Sequence, residues 1–437
     1  MSAALAAVNA RRATARALES LRDEFAAVKA VRLVAAGKAA VGMAEAAIAC
    51  LGPKLSAGVV TAKVGNVPDV GAGFSRPDLS FFPSSHPLPN DASEAAGRHA
   101  LALAARTNAQ NELLLVCLSG GASAMLSVPA PGLTLADKRA ANEHLLRAGL
   151  DIGSMNVVRR HLSGIKGGQL AAAAHRTITL AISDVIRPTD DDPLTIGSGP
   201  TVGDTTTFED ALQVIERAGL SEVMPAAVMA HLRRQATGHR PQANGSPELG
   251  PWALGPGPVA PDDPRLRHSA YWVVCSRQDA MRAAADTARQ IGYRVHVHSA
   301  ALGGEARDAP GVLLDAIAGL ERPACVVCSG ETTVRVRGRG QGGRNQELCV
   351  AALERLHALG SAALASIGTD GVDGPTDAAG GIVDSDSWNA LGAGAARTCA
   401  EALENNDAYP LLERLGGLIR TGPTGTNVGD LQVLLLT

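Results

Sequence analysis

The run Leu113-Leu114-Leu115-Val116-Cys117-Leu118-Ser119-Gly120-Gly121-Ala122-Ser123 decides the fold. Its first six residues are apolar without alternation, as a strand covered on both faces of a parallel sheet requires. The strand then breaks on Ser-Gly-Gly, and a helix-like composition follows. Such a turn aims backbone N–H groups at an anion. The same turn also serves as a plain strand-to-helix connection in any α/β protein. Upstream, 31–36 is a second apolar strand that runs through Gly37-Lys38 into a helix over 38–51. Residues 58–64 read as a strand and 93–107 as a helix. Downstream, 135–150 and 165–173 read as helices, and 177–183 as a strand ending in Ser183-Asp184-Val185. This alternation predicts an α/β fold with a doubly wound parallel sheet. Ligands bind such sheets at the carboxyl ends of strands, where Lys38, Ser119 and Asp184 all fall.

At 437 residues the chain exceeds one ordinary core, so two domains are expected. Pro, Gly and small polar residues dominate 236–267, including Asn244-Gly245-Ser246-Pro247 and Gly255-Pro256-Gly257-Pro258. The expected division is a first domain over 1–238, a Pro/Gly-rich linker over 239–267 and a second domain over 268–437. In the second domain, strands are expected over 271–275, 293–299, 324–329, 332–337, 363–367 and 431–436. Helices are expected over 279–291, after Glu305, and over 345–358. Hydrophobic content of 46% with 19% charge suits a compact soluble chain. A net charge of −3 and only 3% aromatic residues offer no basic field or stacking platform for nucleic acid. The seven cysteines lie mostly in apolar runs and read as buried thiols in a reduced cytoplasmic setting. The Ala-rich start carries Asp23 and Glu24 and reads as an ordinary first helix rather than a transit peptide, and no run is long enough to span a membrane.

Several constellations carry chemistry. Lys38 opens a helix, where the positive end of the macrodipole disfavours a cation unless an anion shares the spot. This is not a Walker A loop, because the GxxxxG spacing and the following Ser or Thr are missing. The span 156–168 packs Asn156, Arg159, Arg160, His161 and Lys166 beside Gly164, Gly167 and Gly168, and suits a carboxylate or phosphate. An exposed charged helix is the plain alternative. Asp184 can hold Mg²⁺ beside a nucleotide, whereas Asp190, Asp191 and Asp192 read as solvated loop charge. Gly338, Gly340 and Gly343 match GxGxxG. The strand expected before them alternates polar and apolar residues, unlike a buried dinucleotide-binding strand. Arg339 and Arg344 suit phosphate charge instead. Asp370, Asp373, Asp377 and Asp384 crowd one loop, as turn residues or as ligands for Mg²⁺.

Taken in order, ten segments resemble the class II glycerate kinases, the glycerate 2-kinase family with a Rossmann-like N-terminal domain and a C-terminal MOFRL domain. They are Gly37-Lys38-Ala39, Ser85-His86-Pro87, Leu118-Ser119-Gly120-Gly121, 156–168, Ser183-Asp184-Val185, Gly197-Ser198-Gly199-Pro200-Thr201, Gly330-Glu331-Thr332-Thr333, Gly342-Gly343-Arg344-Asn345-Gln346-Glu347, Gly368-Thr369-Asp370-Gly371 and 421–430. The resemblance covers essentially the whole chain. It implies ATP- and Mg²⁺-dependent phosphorylation of D-glycerate at the 2-hydroxyl, in a cleft between the domains. By analogy Lys38 and Arg344 act at the transferring phosphoryl group, with Asp184 as a further catalytic residue. Ser119, Gly120, Gly121, Ser123, Gly340, Gly342 and Gly343 are expected on the nucleotide. His86, Asn156, Arg159 and Lys166 are expected on the substrate, and Asp184, Asp370 or Asp373 on the metal. The partner implied is the small molecule D-glycerate, with no nucleic acid and no membrane; a homodimer stays open. Ile186-Arg187-Pro188-Thr189 departs from the family's usual turn to acidic residues after Asp184, Ser329 replaces a usual glycine, and Gly429 a usual asparagine. The alternative activity is an NAD(P)H-dependent hydroxypyruvate reductase, a label that members of the family have carried. A non-catalytic metabolite-binding protein is the third reading.

Overall fold

The computed structural model describes residues 1–63, 78–110, 112–238, 255 and 257–437. Residues 10–274 form one compact unit, and 275–437 together with 1–9 form a second. Of the stretch read as a linker, 239–254 and 256 lie outside the described residues. Its Val259 belongs to the first unit, where its N–H donates to Gly167 O and its carbonyl accepts from Asp204 N, both at 2.8 Å.

The first unit holds β1 (Val31–Ala36), β2 (Leu55–Lys63), β3 (Leu79–Ser84), β4 (Leu113–Leu118), β5 (Thr177–Ile182) and β6 (Ser269–Cys275), in the order β3-β2-β1-β4-β5-β6. The pairings from β3 through β5 are parallel. Every residue of β1, β4 and β5 is buried, which explains their unbroken apolar runs. Arg32 is tolerated inside β1 because it pairs with buried Glu112. The chain builds outward through β2 and β3, then returns to place β4 on the other side of β1. Strand order therefore reverses between β1 and β4, the place where doubly wound sheets bind ligands.

The second unit holds β7 (Arg294–Val297), β8 (Ala324–Gly330), β9 (Ala362–Gly368), β10 (Gly380–Asp384), β11 (Leu418–Ile419) and β12 (Asp430–Leu436), in the order β11-β10-β9-β12-β8-β7. Strand β12 runs antiparallel between β8 and β9, so Asp430 sits opposite both Gly330 and Gly368. The carboxyl ends of β8 and β9 thus meet the start of β12 at one edge. The helix Arg344–Leu359 buries Leu348, Leu353 and Leu356 in the core of this unit.

Two expectations are corrected. Residues 332–337 form no regular strand; Thr333 makes a single bridge to Glu305, and Val336 is 77% exposed. Polar alternation was present, but no neighbouring strand offers a ladder there. The helix expected over 165–173 shrinks to Gln169–Ala172. Gly167 and Gly168 take positive φ, and their N–H groups bond Ser198 O and Gly199 O instead of a helical partner. All seven cysteines are unpaired and only Cys50 is exposed. Among the described residues no helix is long and apolar enough to cross a membrane.

Candidate active site

At the reversal point the tips of β1 and β4 are bonded to each other. Ser119 N donates to Ala36 O at 3.0 Å, Lys38 N to Gly120 O at 2.9 Å, and Ala39 N to the Ser119 hydroxyl at 2.9 Å. Gly37 sits at φ +114°, and a Cβ there would collide with Ser119. The requirement for glycine is therefore a close approach of two loops. Lys38 is exposed at this junction. The His86 ring lies over Gly121, where an added Cβ would stand 3.3 Å from it. Lys38, His86, Ser119, Gly120 and Gly121 are thus brought together.

Beneath that loop lies a group of buried cations. Lys166 Nζ donates to Ser123 O at 2.7 Å, to Ser123 Oγ at 3.0 Å and to Gly197 O at 3.4 Å. Ser123 Oγ is 2.8 Å from Ser198 Oγ, which donates to Asn156 Oδ1 at 3.0 Å. The buried Nδ2 of Asn156 has no hydrogen-bond partner. Burial, together with Lys138, Arg159 and Arg160, holds the Lys166 pKa well below the ordinary lysine value. Lys138 is also buried, with Nζ 3.2 Å from Val128 O and 3.3 Å from Ser163 Oγ. Burial lowers its pKa to about 7, with Glu94 opposing and Arg159 adding to the fall. Arg159 itself is lowered by burial and donates to Asn142 Oδ1 at 3.1 Å. Arg160 is neutralised by Asp204 at 2.5 Å. Two lysines and an arginine without a carboxylate of their own, beside an unpartnered amide N–H, make a site with affinity for an anion. His161 is not part of it, because its ring nitrogens are engaged by Val157 O and Thr206 O, a structural role.

The second unit gathers a different set at the edge where β8, β9 and β12 meet. Arg344 makes a fork on Asp430, with Nε to Oδ2 at 2.6 Å and Nη2 to Oδ1 at 2.9 Å, while Nη1 reaches Glu331 at 2.9 Å. Burial alone would lower the Arg344 pKa, but Asp430 more than offsets this and holds it above the ordinary value. Burial raises Asp430 to about 6 against the pull of Arg344. The pair is charged at neutral pH and fixes the guanidinium. Asp370 lies half-buried in the loop after β9. Asp373 is buried and caps the helix Arg344–Leu359. Its Oδ1 accepts from Asn345 N at 3.1 Å and Nδ2 at 3.2 Å, and its Oδ2 from Gln346 N at 2.9 Å.

The GxGxxG loop has an internal explanation. Gly338 N donates to Asn406 Oδ1, Arg339 N to Asn405 Oδ1, Gly340 N to Asn405 O and Gln341 N to Asp407 Oδ1, over 2.8–3.2 Å. A side chain at Gly338 or Gly340 would run into residues 405–407, and one at Gly343 into Asp373. Gly342 lies against Ala408. Asp377 accepts from Tyr409 and Arg420, and Asp384 caps the helix Ser385–Ala390. Asp184 stands two residues past β5, half-buried, in the first unit. Among the described residues no three His, Cys, Asp or Glu side chains form a metal-holding group.

Sequence reading missed Lys138, and it gave no role to Ser198, Glu331 and Asp430, although their segments carry the resemblance. Lys138 did leave a signal, since it stands three residues after Leu135 and three before Ala141, on the stripe its helix buries. Ser198 sits at φ +61° between two glycines of the same hand. That conformation is unfavourable for a side-chain-bearing residue and marks a held position.

Residues 1–233 match the family described as a domain of unknown function, DUF4147, and residues 324–430 match the MOFRL family. A glycerate 2-kinase of Pyrococcus horikoshii is 34% identical, over 95% of this chain and 89% of its own. A protein of Agrobacterium vitis with a provisional hydroxypyruvate reductase name is 35% identical, over 92% of this chain and 98% of its own. The crystal structure of a glycerate kinase from Thermotoga maritima superimposes with a TM-score of 0.81 at 32% identity, covering 100% of this chain and 99% of that one.

Proposed function

The chain belongs to the glycerate 2-kinase family built from DUF4147 and MOFRL domains, and from that premise we propose that it transfers a phosphoryl group from ATP to the 2-hydroxyl of D-glycerate. The observation that carries this reading is the pocket of buried Lys138 and Lys166 with half-buried Arg159 and the unpartnered Asn156 amide, beside the strand-order reversal. Glycerate is a small carboxylate, and a desolvated carboxylate needs such partners. Lys166, Arg159 and Asn156 hold it, and His86 lies against the same glycine turn. Lys38 and the Ser119–Gly121 loop take phosphate charge. Arg344 uses three of its N–H groups on Asp430 and Glu331, and guanidinium carries five. The remaining two are left for a phosphoryl oxygen, and charge held in place lowers the barrier of this reaction.

Mg²⁺, when bound, neutralises phosphate charge and needs only one or two carboxylates. Asp184 or Asp370 fits that demand. Asp373 does not, because both its oxygens are spent on a helix start. The reductase reading loses its motif, since the N–H groups that would cradle a pyrophosphate are bonded within the second unit, and no regular strand precedes the loop.

The test couples purified protein, D-glycerate, ATP and Mg²⁺ directly to enolase. Signal without added phosphoglycerate mutase is the expected result. Signal only with mutase moves transfer to the 3-hydroxyl, and NADH consumption with hydroxypyruvate and no ADP overturns the kinase.

A further inference from the structure

The helix Arg344–Leu359 packs on one face of the second sheet, and the rows beneath it follow from the register. Gly330, Asp430 and Gly368 stand side by side on β8, β12 and β9, and one pleat deeper stand Cys328, Gln432 and Ser366. The row after that, Val326, Leu434 and Leu364, is apolar and belongs to the core. Residues two apart on a strand share a face. The polar pair Gln432 and Ser366 therefore lies between Asp430 and the core, and both residues are buried.

The hydrogen bonds around this pair run in one direction. Both oxygens of Asp373 take backbone N–H groups, those of Asn345 and Gln346, so the carboxyl is an acceptor. The buried Asn345 amide must then turn Nδ2 to Asp373, at 3.2 Å. Its Oδ1 is left facing Ser366, whose hydroxyl donates to it at 2.5 Å. With that proton spent, Ser366 Oγ accepts from Gln432 Nε2 at 3.2 Å. Asn345 also hydrogen-bonds Asp430, against the effect of burial on that carboxyl. The arrangement is costly, because Gln432 Oε1 is buried without a partner among the described residues. Apolar side chains at 366 and 432 would extend the core and avoid that cost. What the polar pair secures is Asn345, the residue after Arg344, since a buried network rigidifies what it holds. We propose that Ser366, steadied by Gln432, is a positioning residue for Arg344. It locks the Asn345 amide, which ties the helix start to Asp373 and braces Asp430, and so holds the guanidinium in one place. The catalytic consequence rests on the reading that Arg344 acts at the transferring phosphoryl group.

The first readout is independent of catalysis. In the full-length protein the Arg344 Nε–H, donated to Asp430, is expected to exchange slowly with solvent by NMR, its resonance assigned by its loss in Arg344→Lys. Ser366→Ala removes the donor to Asn345 Oδ1 and is expected to speed that exchange about tenfold. Thermal melting checks the fold. If the alanine variant does not fold, Ser366→Cys, close in size but a weak donor, is expected to shift exchange in the same direction. The second readout is kinetic. For Ser366→Ala kcat is expected to fall about tenfold with KM for D-glycerate within about twofold, because a misplaced group slows the chemical step and leaves substrate binding alone. In an Arg344→Ala background Ser366→Ala is expected to add less than about twofold, since its effect runs through Arg344. Unchanged Nε–H exchange in a folded variant overturns the proposal. Full multiplication of the two losses in the double variant, or a loss carried by KM, also overturns it. The kinase reading fails separately, by absence of glycerate-dependent ADP from wild type, and the exchange measurement still decides whether Ser366 positions Arg344.

Discussion

The two units hold their cations in opposite ways. In the first, Lys138 and Lys166 are buried together with no carboxylate in ion-pair contact among the described residues, and burial drags both pKa values down. In the second, Arg344 is forked onto buried Asp430 and touches Glu331, and its charge is secured. Unpaired buried cations are unstable until an anion arrives; a paired one is fixed in place beforehand. The first arrangement suits recognition of a ligand, the second orientation of a group that acts on one. Lys166→Met attacks this contrast most directly. Loss of kcat/KM for D-glycerate by about 10³-fold, or roughly 4 kcal/mol, is expected if Lys166 holds the carboxylate. Thermal melting verifies that the variant folds. Near-normal kcat/KM in folded variant protein removes the pocket from catalysis.

Asp430→Asn probes the other side. The neutral amide can no longer balance the guanidinium, and one fork hydrogen bond is lost. Breaking a buried pair from one side costs about 3–5 kcal/mol; the partial exposure of Arg344 reduces that to roughly 2 kcal/mol. kcat is expected to fall about 100-fold with little change in KM for glycerate, because orientation rather than substrate binding is lost. A rise in KM at constant kcat would place Arg344 on the substrate instead and erase the contrast.

The same contrast shows what was legible in the sequence. β1, β4 and β5 were readable because strands covered on both faces must be continuously apolar. β3 was not, since Leu79–Ser84 mixes Ser and Pro with Phe and lies only half-buried at a sheet edge. The 156–168 motif announced Asn156 and Lys166. Lys138 acquires its meaning only from Val128 and Ser163, which the fold brings to it from outside its own helix. Glycine density proved ambiguous. Gly37 and Gly338 stand in similar loops, yet one lets two strand tips meet at the candidate site and the other fits against Asn405. The distinguishing partner is in each case more than sixty residues away, beyond any local pattern.

Gly340→Ala tests that distinction. The added methyl meets Asp407 and the backbone of Asn405, so a cost of about 1–3 kcal/mol in stability is expected from overpacking. Urea unfolding measures it. KM for ATP should stay within about twofold, since the loop N–H groups are bonded to 405–407. A large rise in KM for ATP without destabilisation would return the loop to nucleotide binding.

The finest test is the pH dependence of Lys138→Met. In the unfolded chain Lys138 titrates near 10.5, and in the fold near about 7. Between those values the unfolded state carries the proton and the folded state does not, so this lysine makes stability rise with pH. Its penalty is fully present below about pH 7 and fades towards pH 10.5. Methionine removes the penalty, and neither acceptor is orphaned, since Val128 O keeps Gly164 N and Ser163 Oγ as donors and Ser163 Oγ keeps Ile165 N. The variant is therefore expected to be the more stable of the two at pH 7. The lead must shrink as pH rises, because wild type recovers and the variant has nothing to recover. Denaturation of both proteins at matched pH isolates this group, since other titrations are common to the pair. A lead independent of pH would mean that Lys138 is charged in the folded protein. The same reasoning fixes the sign of ligand linkage. An anion beside Lys138 and Lys166 favours their charged forms, so D-glycerate binding near pH 8 must take up protons. Calorimetry in buffers of different ionisation enthalpy reads that uptake, and proton release would place the glycerate carboxylate elsewhere.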